Sequence, residues 1–281
     1  MEYIELNNNI KMPILGFGTY FEHAIDTKAA VLCALKEGYR SLDTAKWYVN
    51  EQEVEKAIKE SQIARKDLFI TCKVESKGYQ NTINDVYDSL KKFDTDYFDL
   101  ILIHWPAGDI LDTYRALEYL YENKIARAIG ISNFNEQYCE YILNNCKIKP
   151  QVNQIETHLY FQAKKMNEYL VNNNITHESW SPFGEGKINI FNDPSVINIA
   201  KKYNKKESQI ILRYLIQKNI VVIPRSTNPE HIKENFNVFD FKLDDEDMNT
   251  LESLDKKKRV SGWPESMKIE EIYWYILVKI L

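Results

Sequence analysis

Asp43, Tyr48, Lys73 and His104 are side chains that can together place a proton on an oxygen. Lys73 follows the apolar run Phe69-Ile70-Thr71-Cys72 and precedes Val74, so its surroundings are apolar. An ammonium drawn out of water needs a carboxylate partner, because an unpaired buried charge costs several kcal/mol. Asp43 closes another short run, Ser41-Leu42, and is the natural partner. A cation beside a phenol favours the phenolate, so a Lys73–Asp43 pair next to Tyr48 predicts a tyrosine pKa below the usual value of about 10. A phenol tuned this way can serve as general acid near neutral pH. His104 ends Leu100-Ile101-Leu102-Ile103 and precedes Trp105-Pro106; beside a tyrosine acid it can hydrogen-bond a substrate carbonyl and fix its orientation. Taken singly, each has an ordinary explanation, such as a surface lysine or a structural histidine.

A second set reads as a binding surface. Trp180, in Ser179-Trp180-Ser181-Pro182-Phe183-Gly184, offers a flat ring that can stack on a planar cofactor, and Ser132, Asn133 and Gln154 can hydrogen-bond a carboxamide. In Pro224-Arg225-Ser226-Thr227-Asn228-Pro229, Asn228 has the character of an N-cap and Pro229 of a first helical residue. A helix N-terminus flanked by Arg225, Ser226 and Thr227 makes a phosphate site.

These residues lie at the ends of regularly alternating elements. Tyr3, Ile4 and Leu6, then Asn7-Asn8-Asn9, then Ile10 to Ile14 predict a hairpin. Short apolar runs follow: Leu15 to Thr19, the run ending at Asp43, Leu68 to Cys72, Phe98 to Ile103, Ala128 to Ile131, Gln151 to Ile155, Ile175 to Trp180, and Ile220 to Ile223. Helix-periodic segments separate them, which predicts parallel βα units. About eight units match a closed (β/α)8 barrel. A doubly wound sheet is the alternative, weakened because no G-x-G-x-x-G follows the first strand. In a barrel, residues just past the strand C-termini meet at one mouth, and the chemistry-bearing residues above fall there. No linker divides residues 1–281, so one domain is expected. Ile269, Ile272, Tyr273, Ile276, Leu277 and Ile280 recur at helical spacing, predicting an amphipathic tail packed on its own barrel near the mouth, with a dimer contact or a lid as alternatives.

The formal net charge is -5 and no basic stripe with interleaved aromatics occurs, which argues against a general nucleic-acid binder. Lys256-Lys257-Lys258-Arg259 reads as a solvated turn. The four cysteines form no C-x-x-C pair, and the acidic start of the chain does not resemble a signal peptide. The longest apolar run, Ile272 to Val278, is too short to span a bilayer. A cytoplasmic protein is expected. Five histidines with no H-x-H pair leave few ligands for a metal-dependent barrel hydrolase.

With these residues in hand, the sequence resembles the aldo-keto reductase superfamily from the hairpin to about Leu254. The resemblance rests on Gly38-Tyr39-Arg40-Ser41-Leu42-Asp43-Thr44-Ala45 with Tyr48, Asn50 and Glu51; on Leu102-Ile103-His104-Trp105-Pro106; and on Ile129-Gly130-Ile131-Ser132-Asn133-Phe134. Val152-Asn153-Gln154-Ile155-Glu156, Trp180-Ser181-Pro182, and Ile223-Pro224-Arg225-Ser226 through Ile232-Lys233-Glu234-Asn235-Phe236 extend it. It implies a barrel that binds NADPH without metal and reduces aldehydes or ketones, with Asp43, Tyr48, Lys73 and His104 as the catalytic set. It further implies nicotinamide on Trp180 with its carboxamide at Ser132, Asn133 and Gln154. Ser181 and Gly184 would lie along the pyrophosphate, Arg225, Ser226 and Thr227 at the 2′-phosphate, and Glu234 and Asn235 at the adenine.

Two departures stand out. His231 replaces the usual arginine, and histidine is mostly neutral at pH 7, so NADH use is an expectation beside NADPH. Val74-Glu75-Ser76 replaces the usual Leu-Trp after the lysine and alters the pocket wall. Tyr20, Trp47, Trp105 and Trp263 are expected to line an aromatic pocket for small carbonyl compounds. A monomer is expected, with a homodimer as the alternative. Non-catalytic relatives of this fold serve as channel-associated subunits, but the intact catalytic set argues against that role here.

Overall fold

The computed structural model describes residues 1–21 and 25–261. The hairpin forms as expected: β1 (Tyr3–Glu5) pairs antiparallel with β2 (Lys11–Pro13), Ile4 opposite Met12. Asn9 takes the left-handed conformation that closes the turn (φ 64°). Asn7 donates to the carbonyls of Pro150 and Asn174, both at 2.9 Å, which ties the turn to the segments entering two strands of the sheet.

That sheet has eight strands: β3 (Phe17–Gly18), β4 (Ser41–Asp43), β5 (Phe69–Val74), β6 (Phe98–Ile103), β7 (Ala126–Ser132), β8 (Val152–Glu156), β9 (Thr176–Trp180) and β10 (Val221–Val222). They pair in sequence order, each parallel to the next. Every residue of β5 and β6 is buried, as expected of strands covered on both faces. The sheet closes on itself. Gly16 N donates to Val222 O (2.8 Å), Val222 N to Ile14 O (3.0 Å) and Gly18 N to Pro224 O (3.1 Å). Gly18 suits the seam, since a Cβ there would stand 3.0 Å from the Ile223 carbonyl oxygen.

Helices wrap the barrel: α1 (Ile25–Glu37), α2 (Glu51–Ser61), α3 (Tyr79–Phe93), α4 (Ile110–Glu122), α5 (Glu136–Asn145), α6 (Lys164–Asn172), α7 (Pro194–Tyr203), α8 (Glu207–Gln217), α9 (Pro229–Phe236) and α10 (Asp245–Glu252). In α3, Ile83, Val86, Leu90 and Phe93 form the single apolar stripe that a barrel-facing helix requires. As the sequence predicts, Asn228 caps α9, accepting from Glu230 N at 2.9 Å, with Pro229 at the first helical position. No apolar periodicity in the sequence announces α10, because the segment is strongly acidic and buries only Asp247 and Leu251.

Two tail expectations have different outcomes. Lys256-Lys257-Lys258-Arg259 is not simply a solvated turn. Lys256 N and Lys258 N both donate to Tyr160 O, Lys256 Nζ lies 3.3 Å from the centroid of the Tyr160 ring, and Arg259 stacks over Phe161. These contacts carry the chain towards the barrel mouth. The apolar tail from Ile269 and Trp263 lie outside the described residues.

Candidate active site

Asp43 is the last residue of β4, and its own carbonyl accepts from Thr19 N at 3.0 Å, next to the closing seam. The chain then makes a 3₁₀ turn, Lys46–Tyr48, ended by Val49 in the left-handed region (φ 54°). Three residues brace this turn. Lys46 pairs with Asp85 on α3 at 2.6 Å. The buried Asn50 amide donates to Thr19 O at 2.6 Å and to Thr27 Oγ1 at 3.2 Å. Glu51 pairs with Lys92 at 2.7 Å. The turn thereby presents Trp47 and Tyr48 over the strand ends.

Lys73 comes from β5, 1% exposed, and its Nζ donates to Asp43 Oδ1 in a short contact. The same Nζ lies 3.3 Å from the Tyr48 hydroxyl and 3.3 Å from Thr44 O. Burial alone would lower the lysine's pKa, but the charges of Asp43 and Tyr48 and the Asp43 hydrogen bond hold it above its ordinary value, so it stays an ammonium. Tyr48 differs from expectation. Burial of its hydroxyl raises the phenol's pKa and the Asp43 charge adds to that, while Lys73 pulls it back; the net direction is upward. Sequence alone names the cation but not the depth at which it sits, and here desolvation exceeds Coulomb attraction.

His104 directly follows β6 and stands edge-on to Tyr48, ring centroids 5.8 Å apart. Its Nδ1 lies 3.2 Å from Glu75 Oε1. An ionised carboxylate only accepts, so Nδ1 carries the proton and Nε2 is the ring nitrogen left for another partner. Glu75 is the departure noted in the sequence, and its contact with His104 could not be read there, because it joins the ends of two different strands.

Beneath these groups, Gln154 of β8 donates through Nε2 to Asp43 Oδ2 at 2.8 Å and to Glu178 Oε2 at 2.9 Å. Glu178, fully buried on β9, is absent from the sequence reading, which gathered residues past the strand ends. The usable signal was the two-residue strand period, which puts Glu178 on the same inward face as Trp180. Glu156 was also missed as a brace. It accepts from Val260 N (2.6 Å), His158 Nε2 (3.2 Å), Ser261 N and Ser261 Oγ, fixing the last described residues at the mouth.

One cavity of about 900 Å³ runs from Asp43 and Tyr48, past Glu75, His104 and Trp180, to Arg225 and Asn235. Tyr20, Trp47 and Trp105 line it, with Tyr20 and Trp47 stacked at 6.1 Å. Trp180 is pinned by its Nε1–H to Asn133 Oδ1 at 2.8 Å. Asn133 in turn donates to His104 O (3.0 Å) and Ser132 Oγ (3.1 Å), and Ser132 Oγ donates to Gln154 O (2.9 Å). Ser132 and Asn133 thus tie His104, Gln154 and Trp180 into one wall. Ser181, Ser226, His231 and Glu234 also border the cavity, and the Arg225 guanidinium lies over Tyr20 at 5.5 Å. Asn235 Oδ1 is buried there without a partner among the described residues. Of the site residues expected from the sequence, Lys73, Thr227 and Gly184 do not line the cavity; Lys73 is buried behind Asp43 and Tyr48, which do. Gly184, at φ 64°, turns the chain against Ile188, where a Cβ would stand 2.3 Å from that side chain.

The profile of the aldo/keto reductase family matches residues 15–256. The chain is 41% identical over 268 residues to the 9,11-endoperoxide prostaglandin H2 reductase of Trypanosoma cruzi, covering 94% of this chain and 95% of the relative. It is equally 41% identical over 268 residues to the glyoxal reductase of Bacillus subtilis, covering 94% and 96%. Among solved structures, an aldo-keto reductase from a Medee basin deep-sea metagenome library superposes with a TM-score of 0.89 at 45% identity, covering 91% of this chain and 96% of that one. The chain belongs to the aldo/keto reductase family.

Proposed function

We propose that this protein reduces small aldehydes and ketones to alcohols using NADPH, with NADH as an alternative, and that Tyr48 donates the proton. One observation carries the reading: the Tyr48 hydroxyl, on the cavity wall, stands 3.3 Å from a buried ammonium that Asp43 holds.

The residues present fit a nicotinamide dinucleotide. Trp180 gives a flat face held in one orientation by Asn133. Gln154 has its amide nitrogen engaged by two carboxyl groups, so its oxygen is the end available to a carboxamide N–H. Asn235 Oδ1 is a buried acceptor that an adenine amino group would satisfy. Arg225, Ser226 and His231 border the same end of the cavity and suit phosphate oxygens. A reduced nicotinamide, when bound, supplies the hydride that the carbonyl carbon takes up.

The protein's own part concerns the oxygen. As the C=O bond is reduced, negative charge collects on the oxygen, and the Tyr48 O–H gives it a proton, leaving a phenolate. Lys73 stabilises that phenolate without moving, because Asp43 already holds it. The raised pKa keeps the tyrosine protonated, and so able to donate, through the neutral range. His104, steadied by Glu75, orients the substrate oxygen or a neighbouring polar group through Nε2.

The glyoxal reductase relative supports small carbonyl compounds as substrates, and the aromatic walls of Tyr20, Trp47 and Trp105 suit those carrying an apolar or aromatic group. Four free cysteines fit a reducing cytoplasm, and the activity is proposed for a monomer. A carbonyl panel run with NADPH and with NADH tests the reading. Cofactor oxidation dependent on aldehyde, and unchanged by chelator, is the expected result; no oxidation with either cofactor across the panel would refute it.

A further inference from the structure

Glu178 is a buried acid for which the reaction above has no use. It is the third residue of β9, in register with Gln154 on β8 and Val221 on β10. Its Oε2 accepts from Gln154 Nε2 at 2.9 Å, and its Oε1 is buried without a partner among the described residues. The charged groups facing it are Asp43 from β4 and Lys73 from β5, while β8 offers only the Gln154 amide and β10 only Val221. This interior therefore holds two carboxyl groups and one ammonium, and Asp43 already engages that ammonium. A second carboxylate would be an uncompensated buried charge, which is strongly destabilising. Burial first, and then the charge of Asp43, push the Glu178 carboxyl up to about 8.

Resting on the proposed function, we propose that Glu178 is a positioning residue. As a neutral acid it takes one amide proton of Gln154 while Asp43 takes the other. That sets the Gln154 oxygen towards the nicotinamide carboxamide. Loss of the Glu178 proton to solvent switches the site to a weaker state. An ionised Glu178 would share Lys73 with Asp43 and draw it from Tyr48, and it would repel Asp43 across the Gln154 amide that joins them. The Tyr48 proton cannot account for such a change near neutrality, since its own pKa lies above the ordinary value.

Three proteins test this: wild type, Glu178→Gln and Glu178→Val. NADPH binding is followed by quenching of protein fluorescence, and kcat with a neutral aldehyde is measured, both from about pH 6.5 to about pH 9.5 around the Glu178 titration. Wild type is expected to lose about tenfold in kcat and to bind NADPH several-fold more weakly as pH rises through that range. Glu178→Gln, which accepts the same hydrogen bond but cannot ionise, is expected to bring the ratio of high-pH to low-pH values close to one. Glu178→Val leaves Gln154 free to turn, and NADPH binding should weaken about fivefold or more at every pH. A Glu178→Gln profile that superimposes on wild type would overturn the inference, as would wild-type NADPH affinity in Glu178→Val. Should the valine variant not fold, the glutamine variant still decides.

Melting of the cofactor-free protein separates this inference from the activity. The unfolded chain releases the Glu178 proton near the ordinary carboxyl pKa, whereas the folded one keeps it to about 8. The wild-type melting temperature should therefore fall relative to Glu178→Gln as pH rises across that interval. If wild type melts so but oxidises no cofactor, the proposed function fails and the neutral buried acid stands. If activity is present and the two melting curves run parallel, the Glu178 inference fails alone.

Discussion

At the scale of the residue, Tyr48 shows how little a side chain's type settles. Beside a cation in water its pKa would fall; at the floor of this cavity burial sends it the other way. Tyr48→Phe keeps the ring packed on Tyr20, with centroids 5.0 Å apart in the native protein, and removes only the O–H. NADPH should bind as in wild type while kcat falls roughly 10²–10⁴-fold, the scale of general-acid catalysis; stopped-flow and fluorescence titration read the two separately. Lys73→Met differs in kind. It leaves Asp43 buried without its cation, so a stability loss of about 3–5 kcal/mol in urea unfolding should accompany the loss of turnover. His231→Arg adds a permanent charge at the end of the cavity that Asn235 also lines and should raise the NADPH-over-NADH ratio of kcat/KM about tenfold. The proposed catalytic foursome was visible in the sequence because each member ends or follows an apolar run. Glu75 and Glu178 were not visible as partners, because their contacts cross between strands far apart in the chain.

At the scale of the element, strands buried on both faces write themselves plainly: β5 and β6 are unbroken runs of buried residues, and all eight barrel strands fall where short apolar runs predict them. What escaped is structure held by polar contacts. The acidic α10 has no apolar rhythm, and the basic run after it owes its place to two aromatic rings and a carboxylate rather than to burial of its own side chains. Glu156 is the anchor of that segment. Burial would raise its pKa, but hydrogen bonds from His158, Ser261 and Val260 outweigh burial and lower it. A carboxyl lowered by folding contributes stability above its ordinary pKa and loses it as pH falls through the folded value. Glu156→Gln is therefore expected to melt several degrees lower at neutral pH, with the difference from wild type shrinking on acidification. Protease nicking after Lys256, Lys257 or Lys258 should quicken in the same variant.

At the scale of the whole molecule, the two ends of the barrel divide the work. The reactive groups gather where the strands finish, while the hairpin covers the opposite end through Asn7, bonded to Pro150, Asn174 and Gln151. Asn7→Ala removes these three bonds far from the cavity. A stability loss of about 1–3 kcal/mol is expected, with kcat and KM per folded molecule unchanged; altered KM would mean that the two ends are coupled. The closing seam has a consequence for how the molecule is made. β3 emerges from the ribosome early, yet its partner β10 begins at Val221, so for most of synthesis the sheet is an open ribbon with two bare edges, the kind of surface that recruits other chains. Tyr48, Lys73 and His104 are all translated by then. They remain on an unclosed sheet until the segment through Pro224 arrives and zips Ile14–Gly18 into place. A chain stalled shortly before Val221 would therefore be a target for chaperones rather than a crippled enzyme, and its yield should depend on chaperone supply more steeply than that of the finished protein.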